Sequence, residues 1–177
     1  SNGTPATDWT FRRLTFDGGL TTHVTASSDG KFIAYSSDRA EGNFDIWVQQ
    51  VNGGSVIRLT TNAGIDYAPA FSPDGTNVAF TSSRDDGEGI YIVPALGGDE
   101  RLLAKAGRMP AFSPQGSLIA YSVGHVLGAS EIRIIPSTGG KSTTVHTGLR
   151  WATAPRWSPD GKSILFAGST AATGSDP

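Results

Sequence analysis

Short stretches of alternating apolar and polar residues, separated by turn-forming residues, run along most of the chain. Between residues 66 and 104 this alternation covers residues 66–71, 77–82, 90–95 and 100–104. A period of two is typical of β-strands with one face in a core. No segment keeps the 3.6-residue period of an amphipathic helix. The pattern therefore predicts four short strands in this region and no long helix anywhere in the chain.

A six-residue sequence at the first turn of this region recurs along the chain. It reads AFSPDG at residues 70–75, AFSPQG at 111–116 and RWSPDG at 156–161, with a weaker copy, ASSDG, at 26–30. The steps between copies are 45, 41 and 45 residues. Glycine pairs at 53–54, 97–98 and 139–140 keep nearly the same spacing. Two independent markers at one spacing predict a structural repeat.

Each copy predicts a tight turn between the first and second strands of its unit. Proline presets φ for the second turn position, aspartate tolerates the third, and glycine takes the left-handed exit. The predicted turn residues are Asp29, Gly30, Pro73, Asp74, Gly75, Pro114, Gly116, Pro159, Asp160 and Gly161. Turn formation explains these aspartates without any metal.

Four antiparallel strands repeated every ~40–45 residues are typical of a β-propeller blade. The chain is therefore predicted to be all-β. The first strand of a blade lines the central channel and packs between neighbours. Phe71, Phe112 and Trp157, which precede three of the turns, are expected to wedge between adjacent blades.

The repeat resembles the WD-like repeat of the TolB-type propellers, a bacterial family. The resemblance rests on the SPDG turn and on the strands that follow it, FIAYSS at 32–37 and NVAFTS at 77–82. DIWV at 45–48, GIYIV at 89–93, the double glycines, and the endings RLT at 58–60 and RLL at 101–103 agree with it. It covers residues 10–168. It implies a binding platform for other envelope proteins and hence an extracytoplasmic location.

The strand count predicts an incomplete ring. Residues 11–15 have the pattern of a fourth strand with no blade before it. Full blades are predicted at about 20–60, 65–104 and 107–147, followed by two strands at 154–158 and 163–168. This makes three full blades plus three further strands in a single domain, residues 10–168, with tails at 1–9 and 169–177. A fragment of a larger ring, a self-closing four-blade ring and a homodimer whose chains complete each other all fit this count.

Composition removes several classes of function. A net charge of −2 argues against a nucleic-acid-binding surface, which needs an excess of lysine and arginine. The chain has no cysteine, so disulfides, thiolate metal sites and cysteine nucleophiles are excluded. No apolar run approaches the ~18–20 residues needed to cross a bilayer, so no membrane insertion is predicted.

Catalytic and metal-binding patterns are also missing from the sequence. The three histidines, His23, His125 and His146, share no blade position, and no Gly-x-Ser-x-Gly sequence occurs. Acidic loop residues at 38–45 and 85–88 do not match an EF-hand and are interpreted as solvated carboxylates. The sequence therefore predicts that the chain is not an enzyme and binds neither a metal nor a cofactor.

The candidate binding site lies where the first strands begin. Aligned on the turn proline, one row of equivalent positions carries Thr22, Tyr67, Arg108 and Thr153, and the next carries His23, Ala68, Met109 and Ala154. These rows are expected near one mouth of the channel, where propellers present binding residues. The candidate partner-binding residues are Tyr67, Arg108, Thr22, Thr153, His23 and Trp151.

These observations predict a non-catalytic scaffold or sensor that binds a protein. Tyrosine, arginine and tryptophan at the channel mouth support this interpretation, because these residue types dominate protein interfaces. The alternative is an accessory propeller that gates a prolyl-oligopeptidase-like serine hydrolase whose catalytic domain lies outside this chain.

Overall fold

Fourteen strands in successive antiparallel sheets make up the part of the chain that the structure describes. The structure is a computed structural model and describes residues 11–16, 18–40, 42–84, 87–124 and 128–170. Blade 1 consists of β1 (Thr21–Ala26), β2 (Phe32–Ser37), β3 (Asp45–Gln50) and β4 (Val56–Arg58). Blade 2 consists of β5 (Asp66–Phe71), β6 (Asn77–Ser82), β7 (Gly89–Pro94) and β8 (Arg101–Lys105). Blade 3 consists of β9 (Gly107–Phe112), β10 (Leu118–Gly124), β11 (Ser130–Pro136) and β12 (Thr143–Val145).

A two-stranded sheet, β13 (Trp151–Trp157) and β14 (Ile164–Ser169), begins a fourth blade. In every sheet the strands pair in chain order, as a meander. The described residues contain no helix. The predicted all-β, incomplete propeller is confirmed. The predicted tails, residues 1–9 and 169–177, lie almost entirely outside the described residues.

Residues 11–15 are the one predicted strand that the structure does not form. They carry no strand pairing, and the side chains of Phe11 and Phe16 are exposed. The segment lies against blade 1, where the carbonyl of Leu14 accepts a hydrogen bond from Nε2 of Gln49 at 3.0 Å. The physical reason is that a strand needs a hydrogen-bonding neighbour. No described strand lies beside this segment to supply one.

Apolar side chains fill the spaces between successive blades. Ala34, Ile46 and Val48 of blade 1 pack against Phe71, Val78, Phe80 and Val93 of blade 2. Ile90, Ile92 and Leu103 of blade 2 pack against Ile119, Tyr121 and Ile135 of blade 3. Ala120 and Ile132 of blade 3 pack against Ala152, Trp157 and Phe166 of the fourth sheet. Each sheet is therefore stabilised by its neighbour rather than by a core of its own.

The three aromatic residues before the turns lie between blades, as the sequence predicts. Phe71 belongs to the first inter-blade cluster, and Phe112 packs against the second. Trp157 packs against the third, and its Nε1 donates to the carbonyl of Ala111 in blade 3 at 3.1 Å. The indole thus joins two blades by packing and by a hydrogen bond.

The turn between β5 and β6 shows how the Ser-Pro-Asp-Gly sequence folds. The amide of Gly75 donates to the carbonyl of Ser72 at 2.9 Å, and φ of Gly75 is 72°. The Ser72 hydroxyl donates to Asp74 at 2.5 Å and accepts the amide of Asn77 at 3.0 Å. Gly30, Gly116 and Gly161 occupy the same left-handed position in the other turns, with φ of 68°, 74° and 70°.

Hydrogen bonds within the turns hold their carboxylates in the ionised form. The Ser27 hydroxyl, followed by the backbone amide of Lys31, lowers the pKa of Asp29 to about 2. The serine hydroxyl before each of them likewise lowers the pKa of Asp74 and of Asp160. The third turn has Gln115 at this position and therefore lacks such a carboxylate.

We expect the turn carboxylates to make stability fall in acid. A carboxylate whose folded pKa is lowered contributes stability above its unfolded pKa and loses it as pH falls through the folded pKa. For Asp29 that window runs from about 4 down to about 2. Urea unfolding at pH 5, 3.5 and 2 measures the effect. Asp29→Asn should flatten the profile. Gln115→Asn, at the equivalent position of the third turn, removes no carboxylate and should leave the shape of the profile unchanged; equal profiles for both variants would refute the assignment.

Gly75→Val tests the left-handed turn position. A Cβ at Gly75 would meet no atom within 4 Å, so the effect isolates backbone strain from steric overlap. A left-handed β-branched residue is strained by about 1–2 kcal/mol or more, and we expect a loss of that size in the free energy of unfolding. Gly18→Val is the matched control, because Gly18 also has open space and has no left-handed φ. Equal losses in the two variants would contradict the turn geometry.

Candidate functional site

The first strands of the four sheets together form the wall of a cleft of about 420 Å³. β1, β5, β9 and β13 each contribute the same short stretch, immediately after the predicted row of binding residues. The lining includes His23, Ala68, Pro69, Met109, Pro110 and Ala154. The structure therefore brings the second aligned row, His23, Ala68, Met109 and Ala154, to one wall, in blade order.

Every first strand is bulged at the same position. The register of β5 against β6 shifts between Tyr67 and Ala70, so that the chain gains one residue there, and β1, β9 and β13 shift likewise. The residues in the bulges are left-handed although none is glycine: His23, Ala68, Met109 and Ala154 have φ of 49°, 51°, 54° and 53°. Such a conformation is strained by about 1–3 kcal/mol and persists only where surrounding contacts enforce it.

Hydroxyl groups of the preceding blade hold two of the four bulges in place. The amide of Met109 donates to Oγ1 of Thr81 at 2.9 Å, and the amide of Ala154 donates to Oγ of Ser122 at 3.1 Å. Thr81 and Ser122 occupy equivalent positions on β6 and β10. The same position on β2 carries Ser36, whose buried Oγ has no hydrogen-bond partner among the described residues. The bulges therefore link blade 2 to blade 3 and blade 3 to the fourth sheet.

Four side chains from three blades form a connected group, here called the mouth network: His23, Tyr67, Glu88 and Arg108. The Tyr67 hydroxyl donates to Oε1 of Glu88, and Nη1 of Arg108 lies 3.3 Å from Oε2. Nη2 of Arg108 donates to the carbonyl of Gly124. The His23 ring lies 5.6 Å from the Tyr67 ring, measured between centroids.

Burial and charge set the state of the mouth network. Arg108 is only 5% exposed, whereas the Glu88 side chain is 37% exposed. Burial, reinforced by the hydrogen bond to Glu88, raises the pKa of Tyr67 above its usual range. Tyr67 is therefore a neutral hydrogen-bond donor at neutral pH. The Glu88 carboxylate, held between tyrosine and arginine, is the charged group that the network presents to solvent.

Of the other predicted residues, Thr22 adjoins this network, whereas Thr153 and Trp151 lie apart from it. Thr153 contacts Ser122 at 3.2 Å and donates to Sδ of Met109 at 3.8 Å, which makes a second group across blade 3 and the fourth sheet. Thr22 contacts Nδ1 of His23 at 3.0 Å. Trp151 begins β13 and pairs with Ser169, two blades away from Tyr67. The structure thus groups His23, Tyr67 and Arg108, and separates Thr153 and Trp151 from them.

Two acidic residues interpreted as solvated are in fact paired with arginines. Asp45 is fully buried and pairs with Arg58, and Glu88 joins the mouth network. The interpretation is therefore wrong for Asp45 and Glu88, because their cationic partners come from other strands. Glu41, Asp85, Asp86 and His125 lie outside the described residues. In the described ranges, no group of three histidine, cysteine or acidic residues could hold a metal ion.

Comparison with known proteins places the chain among propellers of one type. The family model of the TolB beta propeller domain matches residues 27–109. The Tol-Pal system protein TolB of Francisella tularensis subsp. holarctica is 31% identical over 152 residues, 83% of this chain and 35% of that protein. A TolB structure from Agrobacterium tumefaciens, 25% identical, superposes with a TM-score of 0.74 over 86% of this chain and 55% of that one.

The chain is also similar to part of a protease homologue. Tricorn protease homolog 1 of Streptomyces coelicolor is 30% identical over 126 residues, which is 67% of this chain and 11% of that protein. The chain spans about a third of the length of its TolB relatives. No helix in the described ranges is long and apolar enough to cross a membrane.

Ala68→Gly tests whether the bulge stores strain. Glycine relieves the left-handed strain but adds freedom to the unfolded chain, so we expect a change in the free energy of unfolding within about 0.5 kcal/mol of zero. Ala70→Gly is the matched control on the same strand, at a residue without left-handed φ. It should destabilise by about 0.5–1 kcal/mol. Urea unfolding measures both variants, and equal losses would contradict a strained bulge.

Proposed function

Because this chain belongs to the TolB-like β-propeller family, we propose that it is a non-catalytic module that binds a protein partner at the mouth network. The observation that carries the proposal is the Glu88 carboxylate. It is partly exposed, and it is fixed between the Tyr67 hydroxyl and the Arg108 guanidinium. A charged group that is already oriented loses little freedom on binding, which favours recognition.

The residues of the network have different roles in this proposal. His23 is exposed and lies beside the Tyr67 ring, so the two rings offer an aromatic surface next to the carboxylate. Such a surface suits a basic or amphipathic side chain of a partner. Arg108 is buried and touches Glu88 and Gly124, so we assign it as a positioning residue rather than a contact.

The name of a relative supports the class of partner that we propose. The Francisella protein is a component of a Tol-Pal system. We therefore propose that the partner of this chain is a protein of the cell envelope and that binding takes place outside the cytoplasm. The self-completing homodimer stays a prediction, and light scattering over a range of concentrations measures it directly.

Binding to purified Pal, the component named in the Tol-Pal system, tests the proposal. We expect saturable binding by calorimetry and at least about a tenfold loss of affinity in Glu88→Gln, which removes a desolvated charge from the contact. Val56→Ala, an exposed change on β4, should bind like the unaltered chain. Thermal unfolding of each variant separates loss of binding from loss of fold. Unchanged affinity in Glu88→Gln would refute the assigned surface.

A second candidate is the gating propeller of a serine hydrolase of the prolyl-oligopeptidase kind. It is supported by the similarity to a tricorn protease homologue over 67% of this chain. In that case the channel mouth would admit substrate to a separate catalytic domain. The same measurement distinguishes the two candidates, because a gating propeller has no reason to bind Pal.

A further inference from the structure

A pocket of about 280 Å³ lies on blade 2 beside the mouth network. It opens between the loop that precedes β7 and the segment that joins β8 to β9. Its walls include the Tyr91 ring, the Leu102 side chain and the backbone of Gly89. Glu88 belongs both to this pocket and to the mouth network. The volume lies below the usual range of sites that enclose a whole small molecule, so the pocket suits a single side chain.

The other two complete blades have an ion pair at the equivalent place. Asp45 and Glu131 are the equivalents of Gly89, because each of the three pairs with the sixth residue of its blade's second strand. Nη2 of Arg58 donates to Asp45 at 2.6 Å, and the arginine two residues beyond Glu131 donates to it at 2.5 Å. Blade 2 has glycine instead of the acid, and it has Leu102 where blade 1 has Arg58. The pocket therefore coincides with the loss of this ion pair from blade 2.

Glu88 is a second departure from the repeat at the same place. The equivalent positions carry Phe44 in blade 1 and Ser130 in blade 3. Blades 1 and 3 form without a carboxylate here, so the fold of a blade does not require one. Blade 2 thus combines a partly exposed carboxylate with an open pocket directly beside it.

The surface that the pocket offers is apolar, because the arginine in its wall is already neutralised. Nη1 and Nη2 of Arg84 lie 2.5 Å from Glu100 and 3.4 Å from Asp66. The guanidinium of Arg84 lies over the Tyr91 ring, 4.1 Å from its centroid. Leu102 is 40% exposed at the pocket although it is a large apolar residue. An apolar group that covers this leucine and the adjacent ring removes both from water, which favours binding.

We infer that this pocket receives an apolar side chain of the partner, next to the basic group that meets Glu88. The inference rests on the proposed function, because Glu88 is the group that the two sites share. Lys105 is exposed on the rim of the pocket and repels a second cation there. The apolar group therefore enters the pocket, and the cation stays at Glu88. The surface thus selects a partner in which a basic group and a bulky apolar side chain lie side by side.

Three small amides test the pocket by NMR titration of the full chain. L-Leucinamide carries a cation and an apolar side chain, glycinamide carries only the cation, and N-acetyl-leucinamide carries only the side chain. We expect L-leucinamide to shift the signals of Gly89 and Leu102, and the other two amides to bind at least about fivefold more weakly. Leu102→Asn should weaken L-leucinamide binding to a similar degree. Leu96→Asn is the matched control, because Leu96 is exposed in the turn at the opposite end of β7 from Gly89.

Two results with these amides would overturn the inference. Equal binding of L-leucinamide and glycinamide would show that the apolar side chain gains nothing from the pocket. Tighter binding of N-acetyl-leucine than of L-leucinamide would assign the pocket to a carboxylate at Lys105.

Binding to Pal separates the inference from the proposed function. Leu102→Asn should bind Pal at least about fivefold more weakly at an unchanged unfolding temperature, and Leu96→Asn should bind like the unaltered chain. Full Pal binding by Leu102→Asn, together with loss of binding in Glu88→Gln, would refute the inference and leave the proposed function in place. If the unaltered chain does not bind Pal, the proposed partner is wrong, and the amide titration decides the chemistry of the pocket by itself.

Discussion

The structure depends on contact between successive blades, because a single sheet cannot bury its own two faces. The second strand of each blade shows the constraint. Phe80 of β6 faces blade 1, while Ala79, its neighbour along the strand, faces blade 3. Both are fully buried only because a sheet lies on either side. In the last described sheet, Leu165 occupies the position equivalent to Ala79, and its side chain is 76% exposed. Burial is therefore a property of neighbouring repeats, as in other repeat architectures.

Hydrogen bonds add direction to this packing. The bulges of β9 and β13 turn a backbone amide toward the preceding blade, where Thr81 and Ser122 accept it. The left-handed residue is strained, but the hydrogen bond fixes one relative position of the two sheets. The bulges of β5 and β9 follow Tyr67 and Arg108, which lie beside Glu88. The candidate site is thus built by the feature that sets blade against blade, which explains why its side chains come from three different sheets.

The repeat made the blades predictable, because its turns are local features of the sequence. Features that depend on contacts between blades could not be predicted in this way. Four copies of one turn determine strand order, since each turn joins two neighbouring strands. The bulges gave no such signal, because His23, Ala68, Met109 and Ala154 share no residue type that favours a left-handed φ. The one sequence signal for the bulges is the proline at 69, 110 and 155. Proline cannot donate a hydrogen bond to a sheet, and in a strand interior it favours a bulge. Partnership of Glu88 with Arg108 could not be predicted, because it depends on how blades 2 and 3 pack.

Residues 11–15 show that the sequence of a repeat does not by itself form a strand. Its sequence matches a fourth strand, yet strand formation requires a hydrogen-bonding partner that sequence similarity alone does not provide. Only the local part of the pattern remains, in which Nε of Arg13 donates a hydrogen bond to the carbonyl of Thr15. In blade 1 that local pattern closes on a buried aspartate, whose burial raises its pKa while Arg58 opposes the rise. A buried carboxylate is tolerated only with such compensation. The buried Asp45 and its partners Arg58 and Thr60 therefore depend on each other.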